Sequence, residues 1–224
     1  VSSFAKTVRL MAGQGLLTEG FRKGQVGSSA MPHKMNTRNS ERINGFHQIL
    51  NGYLTMVMGL AGDQWNEGDV SCSVVRRVAL PGAMYALDGQ LETALTVLQE
   101  MGVYESTIAR ELKQHLPFLA TTRILMESVR KGAGREAAHE VIREHSVRLV
   151  QALQKGTLAN NDLPERLADD PRIPLSLEDI HSILDTPKHF IGSAQQQVQD
   201  FVQQVESLLN ECSEAKDYKP QPVI

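Results

Sequence analysis

The stretch Ile43-Asn44-Gly45-Phe46-His47-Gln48-Ile49-Leu50-Asn51-Gly52-Tyr53-Leu54-Thr55-Met56-Val57-Met58-Gly59-Leu60 places apolar residues at Ile43, Phe46, Leu50, Tyr53, Val57 and Leu60, in alternating steps of three and four. That spacing keeps one face of an α-helix apolar and predicts one long helix with a coiled-coil-like seam. A second seam, Leu80, Met84, Leu87, Leu91, Ala94, Leu98 and Met101, repeats the pattern over about 32 Å at 1.5 Å per residue. Two such helices belong in a bundle. Between them Gly62 to Ser73 is polar and holds Gly68, so it reads as a connection that reverses the chain, with room for binding groups. Pro81 suggests a kink or a first-turn position of the second helix.

Past Gly102 the helical pieces shorten, to about 106–115, 118–131, 135–155, 163–168 and 176–184. The Gly132-Ala133-Gly134 break, Gly156 and the segment from Asp169 to Pro174 supply turns. Pro187 opens a last helix carrying Val198, Phe201, Val205 and Leu208, before a polar tail. No segment shows convincing strand alternation. The expected fold is all-α: residues 1–102 form part of a long-helix bundle, and 103–224 form a smaller all-helical C-terminal domain.

The 224 residues, 41% of them hydrophobic, suffice for a substantial core. A formal charge of -3 gives no case for general nucleic-acid or membrane affinity. Cys72 and Cys212 lack any paired spacing, which speaks against a disulfide framework or a zinc site and fits a reducing cytoplasm. No apolar run approaches the ~20 residues of a membrane span. His139 and His145, six apart, lack the spacing of a metal pair and read as surface or core-edge residues. The chain begins at Val1, with Phe4, Val8 and Met11 already at helical spacing, and reads as a fragment.

The chemistry concentrates upstream of the first long helix, in a loop expected over 24–37 that contains Gly27-Ser28-Ser29-Ala30-Met31-Pro32-His33-Lys34-Met35-Asn36. Glycines and Pro32 make this a helix entrance able to move. Ser28 and Ser29 offer hydroxyls, Lys34 a cation and Asn36 a neutral donor, with Glu41 one turn into the helix that follows. Such groups suit a reaction in which negative charge builds on a substrate, although most clusters of serine, glycine and proline are surface turns.

Ser28-Ser29-x-Met31-Pro32-x-Lys34-x-Asn36, followed by Glu41, resembles the signature loop of the fumarase/aspartase superfamily. The form Gly-Ser-Ser-Ala-Met-Pro-His-Lys is most similar to the adenylosuccinate lyase family. The likeness continues through Gln64-Trp65-x-Glu67, Ser73, Arg76-Arg77, Leu116-Pro117-Phe118-x-Ala120-Thr121 and Gln195-Gln196-Gln197-Val198, covering nearly the whole chain. The resemblance implies a carbon–nitrogen lyase that cleaves adenylosuccinate to AMP and fumarate, and SAICAR to AICAR and fumarate. It assigns proton abstraction to Ser28, with Ser29, Lys34 and Asn36 stabilising the developing charge and Glu41 orienting Lys34 or a water. Met31 is carried over as a substrate contact, and Ser73 and Arg77, with Arg76 beside them, as contacts to the nucleotide phosphate. It also implies a homotetramer with sites shared between subunits and no metal or cofactor; the cytoplasm is the default location.

Two positions depart from the family pattern: Gly68 stands where an arginine is frequent, and Thr37 where proline usually follows the asparagine. The general-acid histidine belongs to an earlier segment in the family. Of the histidines at 33, 47, 115, 139, 145, 181 and 189, only His33 lies in the loop, so the chain alone is expected to be inactive. Argininosuccinate lyase, aspartase or cycloisomerase chemistry, and a non-catalytic helical scaffold, are the competing readings.

Overall fold

The structure is a computed structural model that describes residues 1–20, 36–221 and 223. The regular elements among the described residues are helices apart from a two-stranded ladder, in accord with the all-α expectation. They fall into two compact units, Val1–Thr107 with Asp217–Ile224, and Ile108–Lys216. Among them, no helix is long and apolar enough to cross a membrane.

The first unit is built on α1 (Ser2–Gly13), α2 (Arg38–Met58) and α3 (Ser71–Glu100). The order of contacts makes α2 and α3 antiparallel: Ile43 meets Gln90, Phe46 meets Gly89, and Tyr53 meets Gly82. The face that α3 turns to α2 is made of small residues. A Cβ at Gly89 would stand 2.9 Å from Cζ of Phe46, and one at Gly82 would fall on the Tyr53 hydroxyl. Both rings therefore occupy space that only glycine leaves. Gln90, buried, donates from Nε2 to the Ile43 carbonyl at 3.0 Å and fixes the register. Ala5, Ile43, Ala94 and Val97 close the core beside this contact.

Apart from the buried Ala94, the second seam is displaced from the face that packs within the chain. Leu80, Met84 and Leu91 are 49%, 65% and 45% exposed, and Leu87 and Leu98 are exposed with them, whereas Ala79, Ala86, Thr93 and Val97 are buried. The heptad spacing is present twice on α3, a residue apart. The small set wins the intrachain contact because it admits the α2 backbone and rings closely; the large set is left outward. Pro81 lies well inside α3, which begins at Ser71, and so occupies neither the first turn nor its edge.

Two residues each of β1 (Leu17–Thr18) and β2 (Gly102–Val103) pair antiparallel, Leu17 with Val103 and Thr18 with Gly102. The ladder is too short to show alternation in sequence. It ties the chain after α1 to the chain after α3.

The second unit contains most of α4 (Glu105–Leu119), then α5 (Thr121–Arg130), α6 (Arg135–Gln154), α7 (Leu163–Ala168), α8 (Leu177–Leu184) and α9 (Ala194–Glu211). α4 runs through Pro117, which the sequence reading placed between helices. The last helix opens at Ala194, after a 3-10 turn over Pro187–Phe190, and not at Pro187. Ile124, Val141, Leu149, Leu163, Leu167 and Ile180 form the centre of this core. Gly132 (φ +98°) and Gly156 (φ +70°) end α5 and α6 in the left-handed region that glycine adopts without strain.

Polar ties at the edges of this core set its helix ends. Ser176 and Asp179 form a reciprocal capping box at the start of α8, and Lys131 donates to Asp179 at 2.7 Å. These donors hold the Asp179 carboxyl down at about 2, the lysine contributing most and Ser176 next. Asp170 accepts from Arg172 at 2.8 Å and contacts His145 Nε2 at 3.0 Å, and both hold its carboxyl below the ordinary range.

Three outcomes are expected. Gly89→Ala should lower stability in urea unfolding, because overpacking of about 1–3 kcal/mol outweighs the ~1 kcal/mol helix-propensity gain of alanine. Gly52→Ala, where a Cβ meets nothing within 4 Å, should leave stability unchanged or raise it by up to about 1 kcal/mol. Asp179 has a depressed folded-state pKa, so its contribution is present above the unfolded value of ~3.9 and is lost as pH falls through about 2. Asp179→Asn should thus lower the melting temperature near neutrality and change it little at the acid end, as thermal melts across pH will show.

Candidate active site

Ser28, Ser29, Met31 and Lys34, like His33, lie outside the described residues. The described part of the group begins with Asn36 and Glu41. Glu41 stands on the first turn of α2, its amide bonded to the Thr37 carbonyl at 2.9 Å. With Thr37 and Lys6, Arg9 and Leu10 of α1, it lines a cleft of about 530 Å³. Lys6 and Arg9, three apart, share one face of α1. Arg9 donates from Nη1 to Asn44 Oδ1 at 3.0 Å, and Asn44 donates in turn to the Ser2 carbonyl and hydroxyl, clamping α1 to α2. The cleft therefore combines two cations, a carboxylate and a hydroxyl, a lining suited to a ligand with acidic and donor groups.

The start of α2 is held by a residue that the sequence reading did not single out. The first N–H groups of a helix have no partner within it, and Thr37, the N-cap, supplies no side-chain bond. Glu19, 4% exposed, supplies them from earlier in the chain. Its carboxylate accepts from Asn39 N, Ser40 N and Ser40 Oγ, each at 2.9 Å. Bonds to a charged acceptor contribute roughly 1.5–3 kcal/mol each, and the positive end of the helix dipole favours the carboxylate further. An isolated glutamate after a two-residue strand carries no periodic signal; only its position just before the glycine-punctuated loop hints at a role. Lys6 and Arg9 were likewise missed, being ordinary cations of an amphipathic helix.

The second group sits on α3, not in the connection assigned from sequence. Asp69 accepts from Ser71 N at 2.8 Å and Trp65 N at 3.1 Å, which sets the helix start at Ser71, and its carboxyl is lowered chiefly by the bonds from Ser71. Ser73 and Arg77, four apart, then lie on one face. Arg76 folds back on its own helix, donating to the Cys72 carbonyl at 3.3 Å and to Ser73 Oγ at 3.4 Å. Gly68 donates its amide to Asn66 Oδ1 at 2.9 Å in an exposed turn, and Trp65 beside it is 89% exposed.

The chain does not bring these two groups together. Glu41 precedes Ile43, whose level on α3 is Gln90, whereas Arg77 precedes Gly82, whose level on α2 is Tyr53. From Arg77 to Gln90 the helix rises about 20 Å. Asn36 and Glu41 thus stand at one end of the α2/α3 hairpin and Ser73 and Arg77 at the other. Among the described residues no three His, Cys, Asp or Glu side chains converge as metal ligands do.

Comparison with known proteins bears on this arrangement. Residues 117–201 match the family model described as the adenylosuccinate lyase C-terminus. The adenylosuccinate lyase of Saccharomyces cerevisiae is 37% identical over 91% of this chain and 43% of that protein. The Schizosaccharomyces pombe enzyme is 34% identical over 88% and 41%, and that of Pyrococcus horikoshii 31% over 86% and 41%. The chain spans less than half the length of these curated relatives. Among solved structures, the 3-carboxy-cis,cis-muconate lactonizing enzyme from Pseudomonas putida superposes with a TM-score of 0.71 at 25% identity, over 89% of this chain and 43% of that one. Signature-loop sequence, helical hairpin and the extent of these likenesses lead to one conclusion: the chain belongs to the adenylosuccinate lyase family of the fumarase/aspartase superfamily.

Proposed function

We propose that this chain forms part of a lyase that cleaves adenylosuccinate to AMP and fumarate, and SAICAR to AICAR and fumarate. The observation that carries the proposal is the likeness to adenylosuccinate lyases along nine-tenths of the chain, including the serine–lysine–asparagine loop. β-Elimination removes a weakly acidic proton from the carbon beside a carboxylate, then expels the exocyclic nitrogen of the nucleotide from the neighbouring carbon. Ser28 takes the proton. An alkoxide needs stabilisation, which Ser29, backbone amides and Lys34 provide. Lys34 and Asn36 hold the carboxylate as its charge rises, where preorganised donors give the largest gain. Glu41 orients Lys34 or a water, and Met31 contacts the substrate. Ser73 and Arg77, with Arg76 adjacent, take the phosphate, for which the arginine fork is suited.

The separation of the two groups along the hairpin supports a site completed by different subunits of a cytoplasmic homotetramer. So does the outward seam of Leu80, Met84, Leu87, Leu91 and Leu98, since a helix apolar on two faces belongs in the interior of a larger bundle. The reaction needs no metal or cofactor in this scheme, and its general acid comes from outside this chain. Likeness to the lactonizing enzyme favours a second reading, a cycloisomerase-type reaction on a non-nucleotide tricarboxylate; the named relatives and the Ser73/Arg77 pair weigh for the nucleotide.

The test is fumarate release from adenylosuccinate by the chain alone and by the chain complemented with the N-terminal part of the yeast relative. Activity is expected only in the mixture, and Ser28→Ala should abolish it while substrate still binds. Turnover retained in that variant removes Ser28 from the base role, and turnover of 3-carboxymuconate instead of adenylosuccinate establishes the second reading. Sedimentation of the complemented protein at about 10 μM should show an assembly that Leu91→Glu disrupts, since a buried unpaired charge costs several kcal/mol; a clean monomer before mutation would defeat the shared-site scheme.

A further inference from the structure

We infer that Glu19 is a positioning residue for Asn36 and Glu41, an inference that rests on the lyase reading of that site. Helix caps ordinarily come from the residue that opens the helix. Here Thr37 occupies that position without a side-chain bond, and the donors of Asn39 and Ser40 turn instead to a carboxylate about twenty residues earlier in the chain. Both carboxylate oxygens are engaged, Oε1 by Asn39 N and Oε2 by Ser40 N and Ser40 Oγ, and Ser40 is fully buried. The tie is therefore tertiary: it fixes where α2 begins relative to the rest of the unit.

Glu19 is itself held on both sides. Leu17 is buried and paired with Val103, and Gly20 (φ +101°) presses on Glu100 so closely that a Cβ there would overlap it. The end of α3, the short ladder and the first turn of α2 thus share one reference point. Glu41 follows Ser40 directly and Asn36 precedes Thr37, so the backbone that carries each is set by the held amides. A surface aspartate at the N-cap would satisfy the same amides at less desolvation cost, yet it would leave the first turn free to shift as a body. A buried carboxylate reaching across from just after the preceding strand removes that freedom, which is what reacting groups that must meet a substrate within fractions of an ångström require.

The experiment compares Glu19→Gln and Glu19→Asp in the assembled, active protein, reading steady-state fumarate release and hydrogen–deuterium exchange of residues 36–44 and 80–97. In Glu19→Gln an amide replaces one acceptor oxygen with a donor facing donors; kcat should fall about tenfold or more while KM moves less than about threefold, as displacement of reacting groups rather than loss of binding predicts. Exchange should quicken over 36–44 and not over 80–97, and Glu19→Asp, which keeps the carboxylate, should recover part of kcat. A kcat within about twofold of the parent, or exchange that quickens equally in both segments, overturns the inference in favour of a general stabilising role. Should Glu19→Gln fail to assemble, Ser40→Ala removes one of the three bonds and must shift kcat and 36–44 exchange in the same direction; no shift in either overturns the inference. If the parent protein releases no fumarate, the lyase reading falls by itself, and exchange over 36–44 decides whether Glu19 holds the turn.

Discussion

The first unit depends on how closely two helix backbones can approach. Phe46 and Tyr53 are large rings on α2, and they have a place only because α3 presents Gly89 and Gly82 opposite them. Interiors are packed to the density of organic crystals, so the ring and the missing Cβ form a matched pair rather than an excess and a void. Gln90 adds direction: its amide reaches the Ile43 carbonyl and permits one register of sliding. With that register set, α1 closes on the pair through Ala5, and Arg9 and Asn44 stitch its exposed edge.

The same contact decides what else α3 can do. Because its small residues face α2, its leucines and methionines face away, and the helix carries apolar surface well beyond what the chain covers. The polar groups follow the geometry of a hairpin. One set gathers where α2 starts and the other where α3 starts, and antiparallel helices put those two starts at opposite ends. Chemistry distributed in this way calls for several hairpins side by side, which is the arrangement proposed for the assembled protein.

The helical class is legible in sequence because the heptad-like steps at Ile43 to Leu60 and Leu80 to Met101 exceed what strands or loops produce. The boundaries at Gly132, Gly156 and the Ser176–Asp179 box are also legible, since these are local signals that act within a few residues, whereas Pro117 and Pro187 mark no α-helix boundary. The facing of α3 is not: two seams one residue apart differ in side-chain volume, and volume matters only once a partner surface is known. The paired strands Leu17–Thr18 and Gly102–Val103 escape notice because a two-residue ladder has no period. The placement of Glu41 one turn into its helix follows from counting residues. The cap by Glu19 does not, for it joins residues that only the tertiary fold makes neighbours. The separation of Arg77 from Glu41 was implicit in the reversal read at Gly62 to Ser73, though motif matching treats the residues as one set.

Pro81 has a bearing on the residues that precede it. A proline has no amide hydrogen to give to the carbonyl four residues earlier, and here that carbonyl belongs to Arg77. The opening turns of α3, with Ser73 and Arg77 on them, are joined to the rest of the helix by one rung fewer than the stretch from Ala86 to Val97, which is also the stretch with buried neighbours. Local opening is cheapest where exposed backbone bonds and few packed side chains coincide. One helix therefore holds two regimes, a stretch from Ala86 to Val97 that anchors the hairpin and a leading end where local opening costs less.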